Sequence, residues 1–143
     1  MRKTLNISFF LFVFATIANA QGFDLNASIK RGKSIYAKNC VACHMLDGKG
    51  LTRVFPPLTK NPNLSDKKRM VHIITYGLKG PIKVSGVPYQ GEMTPFKLTD
   101  QQTSDVINFV LNSWDNKLGQ VLPEEIQPAL KTKIKNYTPY KKP

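Results

Sequence analysis

The sequence predicts an all-α fold: three main helices joined by long loops and gathered around one covalently bound cofactor. Three observations carry that expectation. Apolar side chains recur at steps of three and four within residues 25–40, 66–76 and 100–114. The stretches between them, 45–64 and 78–98, are dense in glycine and proline. The first helix runs directly into Cys40-Val41-Ala42-Cys43-His44, and a C-x-x-C-H run is the attachment signature of c-type haem.

The motif has a geometric reason. Two thiols three residues apart on one helical turn reach the two vinyl groups at one porphyrin edge. The imidazole next in sequence lies under the iron as the proximal axial ligand. A C-x-x-C pair also serves thioredoxin-like dithiols and half of a zinc site. A structural zinc site needs four Cys or His ligands, and this chain has two cysteines and two histidines, with His72 far downstream of His44. A thioredoxin-like dithiol needs a βαβ context, which the flanking sequence does not offer. A Cys40–Cys43 disulfide would leave His44 without a role.

The helices follow in order. In residues 25–40, Ile29, Gly32, Tyr36 and Cys40 share one face. A glycine inside a helix costs roughly 1 kcal/mol relative to alanine, so Gly32 implies a second helix crossing close over it. Residues 45–64 read as irregular, with Gly48, Gly50, Pro56, Pro57 and Pro62 as breakers and Phe55 and Leu58 buried. So long an unstructured stretch needs a surface to pack on, and a flat apolar cofactor supplies one. Residues 66–76 read as the second helix, with Ser65 as N-cap. Its stripe is Met70, Ile73, Ile74, Gly77 and Leu78. Met70 is expected in the core and His72, off the stripe, in solvent.

Residues 78–98 read as a loop holding Met93, with Ile82, Val84 and Val87 supporting at most a small extended piece. Residues 100–114 form the third helix. Thr99 and Gln102 make a capping box, and Val106, Ile107, Phe109, Val110, Leu111 and Trp114 give a wide apolar face whose natural partner is the first helix. In residues 119–143, Glu124 and Glu125 precede Ile126, Leu130 and Ile134, a short helical register that Pro128 disturbs. Lys131, Lys133, Lys135, Lys141 and Lys142 follow. This segment is expected to wrap on the surface and end in a frayed, solvated tail, with docking as the alternative role of its lysines.

The 143 residues suffice for one modest domain. Arg2 and Lys3, an apolar run over 7–18 and Ala18-Asn19-Ala20 read as a secretory signal cleaved between Ala20 and Gln21. The run is short of the ~20 residues a membrane anchor requires. The expected organisation is a signal peptide at 1–20, a haem domain at 21–118 and a basic C-terminal extension at 119–143. Loss of Arg2 and Lys3 leaves 19 basic against nine acidic residues, a formal charge of +10. Export argues against nucleic acid, and no later stretch of the mature chain is apolar enough to span a membrane. An acidic redox partner fits best, because a basic rim speeds and orients a brief encounter.

A haem iron held by His44 has a second axial position. Met45 lies beside the proximal ligand, on the wrong side of the ring. Met70 belongs to a core stripe. Met93 sits in a segment punctuated by glycine and proline, where the backbone can bring a thioether to the other face. His44 and Met93 are therefore the expected metal ligands. Such ligation raises the reduction potential and leaves no vacancy for a substrate, which suits one-electron transfer rather than catalysis.

These residues resemble the class I mono-haem cytochromes c of bacterial periplasms. The resemblance spans residues 27–116. It includes the C-x-x-C-H helix, Phe55-Pro56-Pro57-Leu58, Tyr89-Gln90-Gly91-Glu92-Met93-Thr94-Pro95-Phe96, and Leu98-Thr99-Asp100 leading into a helix that ends near Ser113-Trp114-Asp115-Asn116. It implies the class I cytochrome c fold, thioether bonds from Cys40 and Cys43, a proximal His44 and a distal Met93. It also implies that a proline carbonyl, of Pro56 or Pro57, accepts the histidine ring N–H. Leu58 and Phe96 join the cofactor-binding set. The usual loop has proline directly after the methionine, whereas this chain has Met93-Thr94-Pro95.

The implied function is a periplasmic one-electron carrier with one haem c, working between periplasmic redox proteins. A dedicated electron-transfer subunit of a dehydrogenase or reductase is close to this reading. The alternative is a haem enzyme or diatomic-ligand sensor in which Met93 leaves the iron.

Overall fold

The computed structural model describes residues 22–140, and the expected export signal at 1–20 lies outside the described residues. Helix α1, Leu25–Asn39, starts where the Asp24 carboxylate accepts the Ala27 N–H at 3.0 Å. After Cys40 a single turn, α2, Val41–His44, continues the chain. Met45 ends it with φ 63° and ψ 165°, a backbone region that non-glycine residues seldom occupy.

Helix α1 lies across α4, and Gly32 is the reason they approach so closely. A Cβ at that position would overlap the Asp105 carbonyl oxygen and come within 2.9 Å of the Phe109 Cβ. Beside the crossing, the Ser28 hydroxyl donates to the Asp105 carboxylate at 2.6 Å, and Arg31 donates to it from Nε at 2.7 Å and Nη2 at 2.8 Å. Asn108 Nδ2 donates in turn to Ser28 Oγ at 3.0 Å. Every buried polar side-chain atom among the described residues has a partner, as a polar cluster between helices requires.

Helix α4, Asp100–Leu111, carries the expected capping box of Thr99 and Gln102. It is buried from residue 103 to 111, and it stops three residues short of Trp114. Trp114 follows in a left-handed conformation, φ 52°, and packs edge-on against Phe109.

Helix α3, Lys67–Tyr76, is capped by Asp66, whose carboxylate accepts the Arg69 N–H at 2.9 Å. Ser65 does not take that place. It closes a 3-10 turn, Pro62–Ser65, and its hydroxyl donates back to the Pro62 carbonyl. Gly77, φ 73°, ends the helix.

The all-α expectation needs correction at residues 78–98. Strands β1, Leu78–Val84, and β2, Val87–Met93, form an antiparallel two-stranded sheet with Leu78 opposite Met93 and Val84 opposite Val87. Ser85 and Gly86, with φ 48° and 83°, make the two-residue turn with both angles positive that matches strand twist. Glycine and proline in both strands mask the hairpin in the sequence. The fold is helical with this small sheet added.

The C-terminal segment is more than a surface wrap. After a 3-10 turn, Pro123–Glu125, comes α5, Ile126–Leu130. Val121, Ile126 and Ala129 join Tyr36, Val71, Val106, Ile107 and Leu111 in one buried core. The surface-wrap expectation therefore understates residues 121–130, while Lys141 and Lys142 of the expected solvated tail lie outside the described residues. This cover also overturns the solvent-facing reading of His72, which is 5% exposed. Its Nε2 lies 3.0 Å from the Ala129 carbonyl, and its ring meets Tyr76 and Tyr137 edge-on.

Candidate functional site

The helices and the hairpin enclose a cleft of about 470 Å³. One part of its wall comes from the α2 turn with Cys40, Cys43 and His44, another from Phe55 and Pro56, and another from Leu78, Ile82, Tyr89 and Met93 of the sheet, with Phe96 beyond. An inner pocket of about 120 Å³ shares Cys40, His44, Pro56 and Met93 with it and reaches Tyr36, Leu58 and Val106 in the core. The sheet that the sequence concealed thus delivers Met93. Rather than a free loop, the end of a paired strand brings this residue to the same space as His44.

His44 is 8% exposed. Its Nδ1 lies 2.9 Å from the Pro56 carbonyl oxygen. A carbonyl only accepts, so the bond assigns the proton to Nδ1 and leaves the Nε2 lone pair free to coordinate. Burial lowers the basicity of the ring, against the opposing pull of the Pro56 bond. A neutral imidazole is the form that binds a metal. The structure therefore separates the two prolines. Pro56 holds His44, whereas the Pro57 carbonyl accepts Asn61 Nδ2 at 2.8 Å, and Pro57 lines neither cavity.

The loop from 45 to 59 is folded back on itself to form this wall. Gly50 N donates to the His44 carbonyl at 3.1 Å, and Leu58 N donates to the Gly48 carbonyl at 2.7 Å. Gly50, φ 61°, has no room for a Cβ beside the Phe55 carbonyl. Phe55 and Leu58 are half-buried; Phe55 lines the cleft, whereas Leu58 lines the inner pocket and packs against the core. Tyr36 donates from its hydroxyl to the Met45 carbonyl at 2.7 Å, and Trp114 Nε1 donates to the Leu46 carbonyl at 3.0 Å. Two side-chain bonds, one spanning 9 residues and the other 68, thus brace the turn that follows His44.

Cys40 and Cys43 are free thiols, the first half-buried and the second exposed. Burial, with a lesser contribution from Cys43, pushes the Cys40 thiol up to about 11, so it stays protonated at neutral pH. A protonated thiol, not a disulfide, is the group that adds across a vinyl double bond. Among the described residues no cluster of three or more His, Cys, Asp or Glu is placed to hold a bare metal ion. What the cleft offers is two thiols at i and i+3, a neutral imidazole already oriented through Nδ1, a thioether, and an otherwise mostly apolar lining. Its size falls in the usual range for cofactor sites of about 300–1,000 Å³. That donor set fits haem c.

Sequence reasoning missed Ile82, Tyr89 and Gln90 as cleft residues. The Ser85-Gly86 dipeptide between two short apolar runs was the available signal. It also missed Arg69, which lines the inner pocket and carries no local mark of that role.

Comparison with known proteins agrees with this geometry. Residues 29–114 match the Cytochrome c family. Cytochrome c-552 of Thermus thermophilus is 30% identical over 116 residues, covering 76% of this chain and 88% of that protein. The cytochrome c subunit of the quinone alcohol dehydrogenase of Gluconobacter oxydans is 37% identical over 101 residues, or 67% of this chain. The cytochrome c subunit of gluconate 2-dehydrogenase from Pantoea cypripedii is 37% identical over 90 residues, or 59% of this chain. The chain spans only about a fifth of each of these two subunits, 21% and 20%.

Proposed function

The chain belongs to the cytochrome c family, and on that premise we propose that it is a periplasmic one-electron carrier whose iron is held between His44 and Met93. Haem c is the cofactor of the family, with Cys40 and Cys43 in the attachment motif, and the chain is an electron carrier rather than an enzyme. When bound, haem c supplies one iron that cycles between two oxidation states.

The residues divide the remaining work. Cys40 and Cys43 would tether the cofactor as thioethers. His44 ligates through Nε2, with Pro56 fixing ring orientation and basicity through Nδ1. Met93, at the end of β2, would hold the iron through its thioether sulfur. Leu58 and Phe96 line the cavities and would pack against the bound cofactor, and the mostly apolar lining would limit solvent rearrangement between oxidation states. The observation that carries this reading is that His44, Met93 and both thiols line one cleft.

Three basic residues are neighbours in sequence of residues that line the cleft. Lys38, Arg53 and Lys97 are exposed and adjoin the cleft-lining Asn39, Val54 and Phe96. With the positive charge of the whole chain, they favour a partner with an acidic docking face. A redox protein of the same compartment is the proposed partner, whether free or in a dehydrogenase complex such as those of two relatives. Residues 1–20 are the proposed export signal, and the proposed division beyond it is a haem domain at 21–118 and a C-terminal extension at 119–143, of which Val121, Ile126 and Ala129 pack in the core. Among the described residues no helix is long and apolar enough to cross a membrane.

The test is expression with haem-attachment machinery. A pyridine haemochrome spectrum with one haem per chain is expected, and the oxidised protein shows the near-infrared band of methionine–iron ligation. Met93→Ala retains the haem, loses that band and lowers the midpoint potential. A band that survives in Met93→Ala refutes the assignment.

A further inference from the structure

We propose that residues 131–140 form a strap that holds Arg69 toward the carboxylate-bearing edge of the haem, and that this cation raises the reduction potential. The inference rests on the haem occupying the cleft as argued above. The porphyrin of haem c carries two propionate carboxylates, so an apolar pocket that receives it needs cationic or polar groups where they end. Among the described residues Arg69 is the one cation lining the inner pocket, alongside Asn61 and Asn63. The two asparagine amides already have partners within the chain. Asn61 Nδ2 donates to Pro57 O at 2.8 Å while its Oδ1 accepts from Asn63 N, and Asn63 Nδ2 donates to Lys83 O at 2.9 Å.

Arg69 is differently placed. Its Nη1 donates to the carbonyls of Lys135 at 3.2 Å and Asn136 at 2.8 Å. Its guanidinium carbon lies 5.9 Å from the centre of the Tyr137 ring, within cation–π reach. Among the described residues Nε and Nη2 make no hydrogen bond. They are the edge of the guanidinium fork suited to a carboxylate.

The strap that supplies these contacts is itself anchored. The Tyr137 hydroxyl lies 2.7 Å from the Gly77 carbonyl and 3.0 Å from the His72 carbonyl, and Lys79 N donates to the Thr138 carbonyl at 2.9 Å. The strap is thus fixed to the end of α3 and the start of β1, one element on either side of the pocket. Held there, Arg69 loses the freedom of an exposed arginine. A fixed positive charge near the iron favours the reduced state, which carries one less positive charge, and local charge and hydrogen bonding are among the protein's levers on haem potential. Tyr137 is a positioning residue in this account, because it acts only through Arg69.

The experiment is a redox titration of the full-length holoprotein at one fixed pH, with the near-infrared methionine–iron band recorded for each variant. Arg69→Gln lowers the midpoint potential with the band intact, and Arg69→Lys recovers part of the shift. Tyr137→Ala lowers the potential by a smaller amount, and it adds nothing in the Arg69→Gln background. If Tyr137→Ala does not fold, Tyr137→Leu keeps the apolar packing, removes the ring face and reads the same coupling. An unchanged potential in Arg69→Gln overturns the proposal. A Tyr137 shift of equal size in both backgrounds overturns the role of the strap. Absence of a haemochrome spectrum would instead sink the underlying haem reading, so the two failures are distinct.

Discussion

Gly32→Ala tests the contact on which the helical framework depends. In an isolated helix the change favours folding by about 1 kcal/mol, since alanine is the better helix former. At this crossing the added methyl meets the Asp105 carbonyl oxygen, the Asp105 carbonyl carbon at 2.6 Å and the Phe109 Cβ at 2.9 Å. Two of these three atoms are backbone of α4 and cannot rotate aside, so α1 and α4 must move apart. Overpacking of that kind costs about 1–3 kcal/mol, and the rigid obstacle puts this site at the upper end. Separation also stretches the buried Ser28–Asp105 and Asn108–Ser28 hydrogen bonds of 2.6 and 3.0 Å, each contributing about 1 kcal/mol net. The expected net loss is about 3–4 kcal/mol, a large share of the 5–15 kcal/mol typical of a domain. Guanidinium unfolding followed by far-ultraviolet circular dichroism reads it as a lower midpoint with an unchanged slope. A variant as stable as the parent, or more so, would mean that helix propensity governs this position, and the close-crossing argument would be wrong.

Other expectations follow from the same framework. Burial alone would raise the Asp105 carboxyl, but hydrogen bonds from Arg31, Ser28 and Gln101 outweigh it and hold the group below the ordinary carboxylate range. Its stabilising effect is therefore present above the unfolded-chain value of about 3.9 and fades as pH falls through the lower folded value. Asp105→Asn should cost about 3 kcal/mol at pH 7, with the gap to the parent narrowing at pH 3; a gap independent of pH refutes a charge-based role. Thr99→Ala removes the hydroxyl that accepts the Gln102 N–H at 3.2 Å and should lower the unfolding free energy by about 1 kcal/mol; an unchanged denaturation midpoint would show the cap to be idle. The double change Cys40→Ala, Cys43→Ala should give a secreted chain without covalent haem that proteases digest rapidly, and recovery of a compact, resistant apoprotein would contradict the view that the cofactor organises the loops.

The elements legible in the sequence are those whose cause is local. The C-x-x-C-H run is set by the spacing of one helical turn, the Thr99–Gln102 box by hydrogen bonds three residues apart, and the Gly32 crossing by the absence of a side chain. Met93 was legible as a cleft residue only by elimination among the methionines. The strand that carries it was not, because Pro81, Pro88, Gly80 and Gly91 read as breakers when each strand is considered alone. Paired in register, with Pro81 opposite Gln90 and Lys83 opposite Pro88, the same residues sit in a short two-stranded ribbon that tolerates them. Ser65 reads as an N-cap in the sequence, yet the 3-10 turn engages its hydroxyl and leaves Asp66 in the capping position.

By itself, then, the chain's order of residues determined the helices, the tethering motif and the identity of a covalent iron porphyrin, because each depends on atoms within a few positions of one another. Tertiary structure decided which proline carbonyl holds His44, that His72 is interior, that residues 121–130 complete the core, and that Arg69 meets the pocket. Those outcomes join groups far apart in the chain, 57 residues in the case of His72 and Ala129 and 65 in the case of His72 and Tyr137. No periodicity or local propensity encodes such contacts; they exist only after the hydrophobic core has brought the segments together.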